Sequence, residues 1–592
     1  MDKFKLSWPT RFEVPIPEPI RKNISFILTV TTTCVIGAVI ITKFTKSRKR
    51  SRRIRDKRES CRDACRRLAE QLMENGLTLA ERNAILELSF EELRLKLQKG
   101  DLRCVDVLHA YQSKAIQVNE HLNCVVEPIW EAEVLALEMD MKTGKKGYLH
   151  GIPISVKENY YLEGYDCTGG MSIYLDDCVT EENTLIKILK KQGAIPFVRT
   201  NIPQSMMTYE CSNPIYGQTK NPHDVTRGPG GSSGGEAALI AAKGSILGFG
   251  TDIGGSIRIP SHFCGVYGLK PTVGRISKKN MLPFQSGQTL VQAAAGPLAS
   301  DMGGLVAVMK SLLVPAMFEQ DPTCPPIEFR NEIFESKRPL RIGYFLDNGY
   351  ITPVPACQRA VSLATEVLQT RGHTIVKFDP PDMYACFELF LLSTFGDGGE
   401  SFIEALKDDL VDPALKLAHM GLILPRWLNL FLGWVLSKFG RDKMMYILSK
   451  SMRGPGSVGK YWKIAERNEA YKKQMLRRWR ANKLDVLICP GFAFPAVRSG
   501  NVFNVMGGVT YTVLFNLLNY PTGSMPVTKV TCEDEANMAD YPSKTAYEKA
   551  MKKDNVGSTG LPVNIQCAAQ PYQEELVLRV MAELEQGLKA QN

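Results

Sequence analysis

Between Cys211 and Arg275 the chain is crowded with Gly, Ser and Pro yet has almost no charge runs, so it reads as folded chain and not as a flexible linker. Its centre is "GTDIGGSIRIP", Gly250 to Pro260, where two adjacent glycines precede Ser256 and Asp252 and Arg258 flank them in an apolar run. A loop that only has to turn can use Asn or Asp with a single Gly. A glycine pair followed by a hydroxyl predicts backbone N–H groups opened toward something beside that serine.

The flanking sequence fixes the fold class. "SFEELRLKLQKG" carries the capping box Ser89-x-x-Glu92 and stops at Gly100, which predicts a helix. "CVDVLHAYQSKAIQVNEHL" continues in that style. "GIPISVKENY" alternates Ile152, Ile154 and Val156, the mark of a short strand ending in Lys157. "TLIKILKKQGAIPFVRT" reads as helix, glycine stop, strand. The rhythm returns in "PLRIGYF", a helix near 355–371 and "HTIVKFD", and "LDVLICPGFAFPA" adds a buried strand. The expectation is one large α/β domain over 95–592, since no polar, Pro/Gly-rich linker interrupts the chain after Lys96.

The net charge of +11 does not mark a nucleic-acid partner. Residues 43–58 hold ten Lys/Arg and one Asp, a net +9, which leaves +2 for the rest of the chain. This basic block follows the nineteen uncharged residues Ile24–Thr42, close to the length of a membrane-spanning helix. The expected order is a tail at 1–23, a transmembrane helix at 24–42, a basic juxtamembrane segment with helices at 43–94, and then the α/β domain. The alternatives for 24–42 are a buried core helix and a signal peptide, though no small-residue cleavage site stands out. The excess of cations after the span places the C-terminal bulk in the cytosol, against anionic headgroups. Fifteen scattered cysteines with no C-x-x-C pair fit reduced thiols and give no disulfide framework or metal site.

Three elements could carry chemistry: Lys157, the pair Ser232–Ser233 in "GPGGSSGGE", and Ser256. Each has a plain reading as a surface lysine or loop serine. The glycine-rich run lacks the Gly-Lys-Ser/Thr ending of a phosphate loop. Gly230-x-Ser232-x-Gly234 also fits the nucleophile elbow of serine esterases, which would need a downstream histidine from His262, His373 or His419.

Lys157, "GGSSGG" about 75 residues on, and "GTDIGGSIRIPSHFCGVYGLKPT" together resemble the amidase signature family over roughly residues 95–590. One departure is Pro229, where the family commonly has Ser. "NIPQSMMTYECSNPIYGQTKNP", "VDPALKL…LPRWLNLFLGWVL" and "GLPVNIQCAAQPYQEELVLRVM" bring it closest to the family's membrane-anchored branch, whose members cleave fatty acid amides. The resemblance implies a large mixed, twisted sheet surrounded by helices. It implies a catalytic set of Lys157, Ser232 and Ser256, an oxyanion hole from the amides of Ile253, Gly254, Gly255 and Ser256, and substrate contact at Met206 and Ser232. No cofactor or metal is implied. Homodimers and an endoplasmic-reticulum or other endomembrane location are.

The chemistry can be argued independently. A serine hydroxyl needs a base, and a lysine serves only when burial keeps it neutral. Ser232 would pass the Ser256 proton to Lys157 and return it to the departing nitrogen. Asp252 and Arg258 are expected to brace the loop as a pair. In "RWLNLFLGWVLSKF" eight of the residues 427–436 are large and apolar, broken by Asn429 and Gly433. Such a helix is core or membrane-facing, and the family resemblance implies a membrane-binding cap at about 420–450. The expected activity is hydrolysis of N-acylethanolamines such as anandamide, and of primary amides such as oleamide, with secondary esterase activity. The competing readings are an α/β-hydrolase lipase or esterase, an amidotransferase subunit acting on aminoacyl-tRNA, and a non-catalytic membrane scaffold of the same fold.

Overall fold

A computed structural model describes residues 18–74, 77–283, 285–439 and 443–591. The chain divides into two units, Met1–Asp56 and Lys57–Asn592. The compact second unit thus begins inside the stretch 43–94. In the first unit the backbone from Glu18 belongs to helix α1 (Glu18–Glu74). The segment 24–42, expected to span a membrane, lies within this helix. Among the described residues, no single helix is long and apolar enough to cross one.

In the second unit the sequence signals form the elements they predict. Helix α2 (Phe90–Lys99) starts at the Ser89/Glu92 capping box and ends at Gly100. Helix α3 (Cys104–Leu122) follows. Among the described residues eleven strands form one mixed sheet. In chain order they are β1 (Val125–Pro128), β2 (Pro153–Lys157), β3 (Ile195–Thr200), β4 (Leu247–Asp252), β5 (Tyr267–Lys270) and β6 (Ala294–Ala299). The rest are β7 (Arg341–Tyr344), β8 (Thr374–Lys377), β9 (Val486–Pro490), β10 (Thr522–Lys529) and β11 (Pro562–Ala568). Their spatial order is β1-β3-β2-β4-β6-β5-β10-β11-β9-β7-β8. β2 runs parallel to β3 and β4, β9 parallel to β7, and β7 parallel to β8. The remaining pairs are antiparallel.

The position of β2 decides the fate of its last residue. Every residue of "PISVK" is buried, as in a parallel strand covered on both faces. Helix α4 (Thr184–Lys191) supplies the crossover to β3, and its buried Leu185, Ile186, Ile188 and Leu189 pack into the core. Lys157 lies beside Thr200 of β3, and Ser155 beside Gly248 of β4. β2 and β4 therefore end side by side, at the carboxyl ends of parallel strands where α/β folds open their ligand crevice.

Candidate active site

Lys157 has no exposed surface. Its Nζ donates to Ser232 Oγ at 2.7 Å and to Thr251 Oγ1 at 2.8 Å. Thr251 belongs to the neighbouring strand β4. Ser232 sits in the loop ahead of helix α5 (Gly234–Ala241), and the peptide joining it to Gly231 is cis. Burial is the largest influence on the Lys157 ammonium and pushes it down to about 7. A substantial neutral fraction at physiological pH follows.

Ser256 stands in the loop between β4 and helix α6 (Arg258–Cys264). Its carbonyl accepts the Ser233 N–H at 3.0 Å, tying the two serine loops together. Ser256 lines an apolar cavity of about 420 Å³ with Gly231, Met206, Ile253 and Gly254. Among the described residues no hydrogen bond joins Ser256 Oγ to Ser232 Oγ. The structure thus brings Lys157 and Ser232 into contact and places Ser256 on the adjoining wall. Met206 reaches the cavity from left-handed backbone, φ +61°, beside Ser205, whose N–H donates to Gly169 O.

The loop's polarity is set by Asp252. Its carboxylate accepts the N–H groups of Gly255 (2.8 Å) and Ile257 (3.1 Å). Arg258 approaches both carboxylate oxygens at 3.0 Å, and Asn516 Nδ2 adds a bond at 2.9 Å. Burial alone would push this carboxyl up. The Arg258 guanidinium and the Asn516 amide outweigh it and hold Asp252 well below the usual carboxylate range. Arg258 is completed by Thr512 O, Gln566 Oε1 and Asn516 Oδ1. The expected brace is present, with partners the sequence reading did not assign.

The Gly255 N–H donates to Asp252. The amides of Ile253, Gly254 and Ser256 find no acceptor among the described residues, which leaves three unpaired donors in the loop. Gly255 also serves through its backbone. Its φ is +120°, and a Cβ there would lie 2.5 Å from Thr512 Oγ1. Arg258→Ala would leave the Asp252 carboxylate buried and unpaired, at about 3–5 kcal/mol. The expected outcome is a large fall in the denaturant midpoint by circular dichroism, with an unchanged midpoint counting against the brace.

The histidines needed by an esterase triad lie elsewhere. His262 donates to Phe494 O and accepts from Asn564 N, and His373 donates to Glu583 while accepting from Leu340 N. His419 rests against the Phe402 ring. None of them lines the cavity holding Ser256.

The cavity runs outward to helices α8 (Lys416–Ile423), α9 (Arg426–Phe439) and α10 (Lys443–Ser451). On its way it passes Phe387 and Phe390 of α7 (Met383–Thr394). Leu417, Met420, Leu432 and Leu436 line it and are also exposed, which marks its mouth. Helix α9 is inverted relative to a core helix. Asn429 and Gly433 are its buried residues, while Trp427, Phe431 and Phe439 are 70%, 55% and 84% exposed.

Sequence reasoning missed Thr251, although it lies in the motif stretch itself, one residue before Asp252. It also missed Phe387 and Phe390, whose i, i+3 spacing looks like any core helix.

The family model that matches is described as Amidase and spans residues 106–578. The chain is 42% identical to "Fatty-acid amide hydrolase 1" of Sus scrofa over 506 residues, covering 85% of this chain and 86% of that one. It is 37% identical to "Fatty acid amide hydrolase 1" of Caenorhabditis elegans, over 86% and 90% of the two chains. A solved structure of "Fatty acid amide hydrolase" superposes with a TM-score of 0.75 at 27% identity, over 92% of this chain and 95% of that chain.

Proposed function

The chain belongs to the amidase family and hydrolyses amides, and from that premise we propose that its substrates are fatty acid amides, cleaved at Lys157, Ser232 and Ser256. The observation that carries this reading is a fully buried lysine, 2.7 Å from the Ser232 hydroxyl, whose chain neighbour Gly231 lines the same apolar cavity as Ser256.

Neutral Lys157 takes the proton of Ser232, which takes that of Ser256 as its Oγ attacks the acyl carbon. The relay requires a Ser232–Ser256 contact, and catalytic hydrogen bonds commonly tighten only in the substrate complex. The negative charge on the former carbonyl oxygen meets the free amides of Ile253, Gly254 and Ser256, each donor worth on the order of 10²–10³ in rate. Ser232 returns the proton to the nitrogen, the C–N bond breaks, and the amine leaves an ester on Ser256. Water, deprotonated through the same relay, releases the fatty acid and restores the serine.

The cavity's apolar wall supports a hydrocarbon substrate, and the names of the Sus scrofa and Caenorhabditis elegans relatives agree. N-acylethanolamines such as anandamide and primary amides such as oleamide are the proposed substrates. Release of oleate from oleamide by purified protein, absent from a parallel Ser256→Ala preparation, tests this. Failure of the active protein to cleave either amide would overturn it.

Membrane attachment is part of the proposal. The uncharged run 24–42 supports an anchor, as do Thr33 and Thr42, whose hydroxyls each donate to the carbonyl four residues back. The exposed apolar face of α9, around the cavity mouth, supports a cap that docks on lipid. Withdrawing a large apolar side chain from water is worth about 1.5–3 kcal/mol. The double variant Trp427→Ser/Phe431→Ser should therefore raise KM for vesicle-borne oleamide at least about tenfold, leaving kcat in detergent unchanged. An unaltered KM would remove the cap from the proposal.

A further inference from the structure

Glu236 is a carboxyl that the chemistry above does not use. It lies in the first turn of α5, three residues after Ser233, with no exposed surface. Its Oε2 is 2.5 Å from Ser155 Oγ and its Oε1 is 2.6 Å from Thr200 Oγ1. These hydroxyls bracket the lysine. Ser155 precedes Lys157 by two residues on the same face of β2, and Thr200 is the registered neighbour of Lys157 on β3. Gly248 makes the room, since a Cβ there would lie 1.8 Å from Glu236 Oε2.

The surrounding hydrogen bonds leave room for a proton on Glu236, with Ser155 Oγ also 3.4 Å from Leu247 O. Ser155 Oγ is 3.0 Å from Ser245 Oγ, and Ser245 Oγ is 2.8 Å from Leu247 O. With Glu236 protonated, the chain runs in one direction. Glu236 donates to Ser155, Ser155 to Ser245 and Ser245 to the carbonyl, while Thr200 donates to the other carboxyl oxygen. With Glu236 ionised, Ser155 must donate to it, and its contact with Ser245 keeps a hydrogen only if Leu247 O loses one. Among the described residues no cation forms an ion pair with Glu236, and a buried carboxylate without one takes up a proton. Burial pushes this group up to about 8.

We propose that Glu236 is a positioning residue for the base: a neutral carboxylic acid that pins the strand ends beside Lys157 while adding no charge to the amine's surroundings. The other acids facing Lys157 are already balanced. Asp252 pairs with Arg258, Glu158 faces Arg199, and burial keeps the Cys211 thiol protonated, pushed up to about 12. Tyr160 and Cys124 face Glu236 uncharged, because burial moves both titrations upward. An ionised Glu236 would draw Lys157 toward the ammonium and cost the site its base. This inference rests on the reading of Lys157 as that base.

The test compares wild type with Glu236→Gln, which keeps shape and neutrality. Two quantities are read: the pH profile of kcat/KM for oleamide, and the infrared carbonyl band of a protonated carboxylic acid at pH 7. The ascending limb should keep its midpoint, and the difference spectrum should show one acid band lost in the variant. A carboxylate at 236 gives the opposite: no band difference, and a midpoint lower by about one unit or more in Glu236→Gln. Either result overturns the proposal. Should Glu236→Gln not fold, Thr200→Val replaces it, leaving the carboxyl but removing a donor. An unmoved midpoint is again expected, and a drop of about one unit overturns the proposal, because a carboxylate deprived of its donor would take up a proton and release the lysine's. The band needs no turnover, so wild-type protein that shows it without cleaving amides counts against the functional reading alone.

Discussion

Ser256→Ala loses amide turnover, with kcat falling on the order of 10⁵–10⁶, the loss seen when a nucleophile acting as one unit with its base is removed. The cavity survives the change, because among the described residues Ser256 makes no side-chain hydrogen bond and its backbone tie to Ser233 remains. Substrate affinity and the thermal midpoint should therefore stay near wild type, which separates lost chemistry from lost folding. Labelling by a fluorophosphonate probe should vanish in the same variant. Residual turnover within about tenfold of wild type would move the nucleophile elsewhere, Ser232 being the next serine in line.

Lys157 variants have the second large effect, and its sign depends on pH. Burial lowers the lysine from 10.5 to about 7, so the base form dominates above neutrality. Wild-type kcat/KM should rise through pH 7 and then level. Lys157→Ala should lose that limb, fall by about 10⁴-fold or more at pH 7, and recover in part in alkali as hydroxide replaces the amine. Equal loss at every pH would exclude a lysine base. Stability also rises with pH. Between pH 7 and 10.5 the unfolded chain holds a proton that the folded one lacks, so wild-type stability rises with pH across that window. Lys157→Met should be inactive yet more stable by a few kcal/mol at pH 7. The gain is full below pH 7 and fades toward pH 10.5.

How much of this was legible in the sequence differs residue by residue. The apolar alternation in "GIPISV" placed Lys157 at a strand end and made burial plausible without requiring it. Its burial comes from β3 and β4 closing on both sides of β2, a fact of topology. The Asp252–Arg258 pair could be seen because its members lie six residues apart. Asn516 and Gln566 join it from over 250 residues away, beyond any local pattern. The family resemblance implied four amides for an oxyanion, and a local pattern does not show that the Gly255 amide meets an aspartate three residues upstream. Asn429 and Gly433 stood out as interruptions of an apolar helix. The structure makes them its inward face, because composition does not say which side of a helix is covered.

The guanidinium of Arg258 gathers Thr512, Asn516 and Gln566 onto the loop that carries Ser256. Variants at these three positions, more than 250 residues beyond Ser256 in the chain, can thus behave as reaction-centre lesions. A laboratory sorting such alleles by linear position would file them as peripheral. Sorting by proximity in space would send them first to kinetic assay.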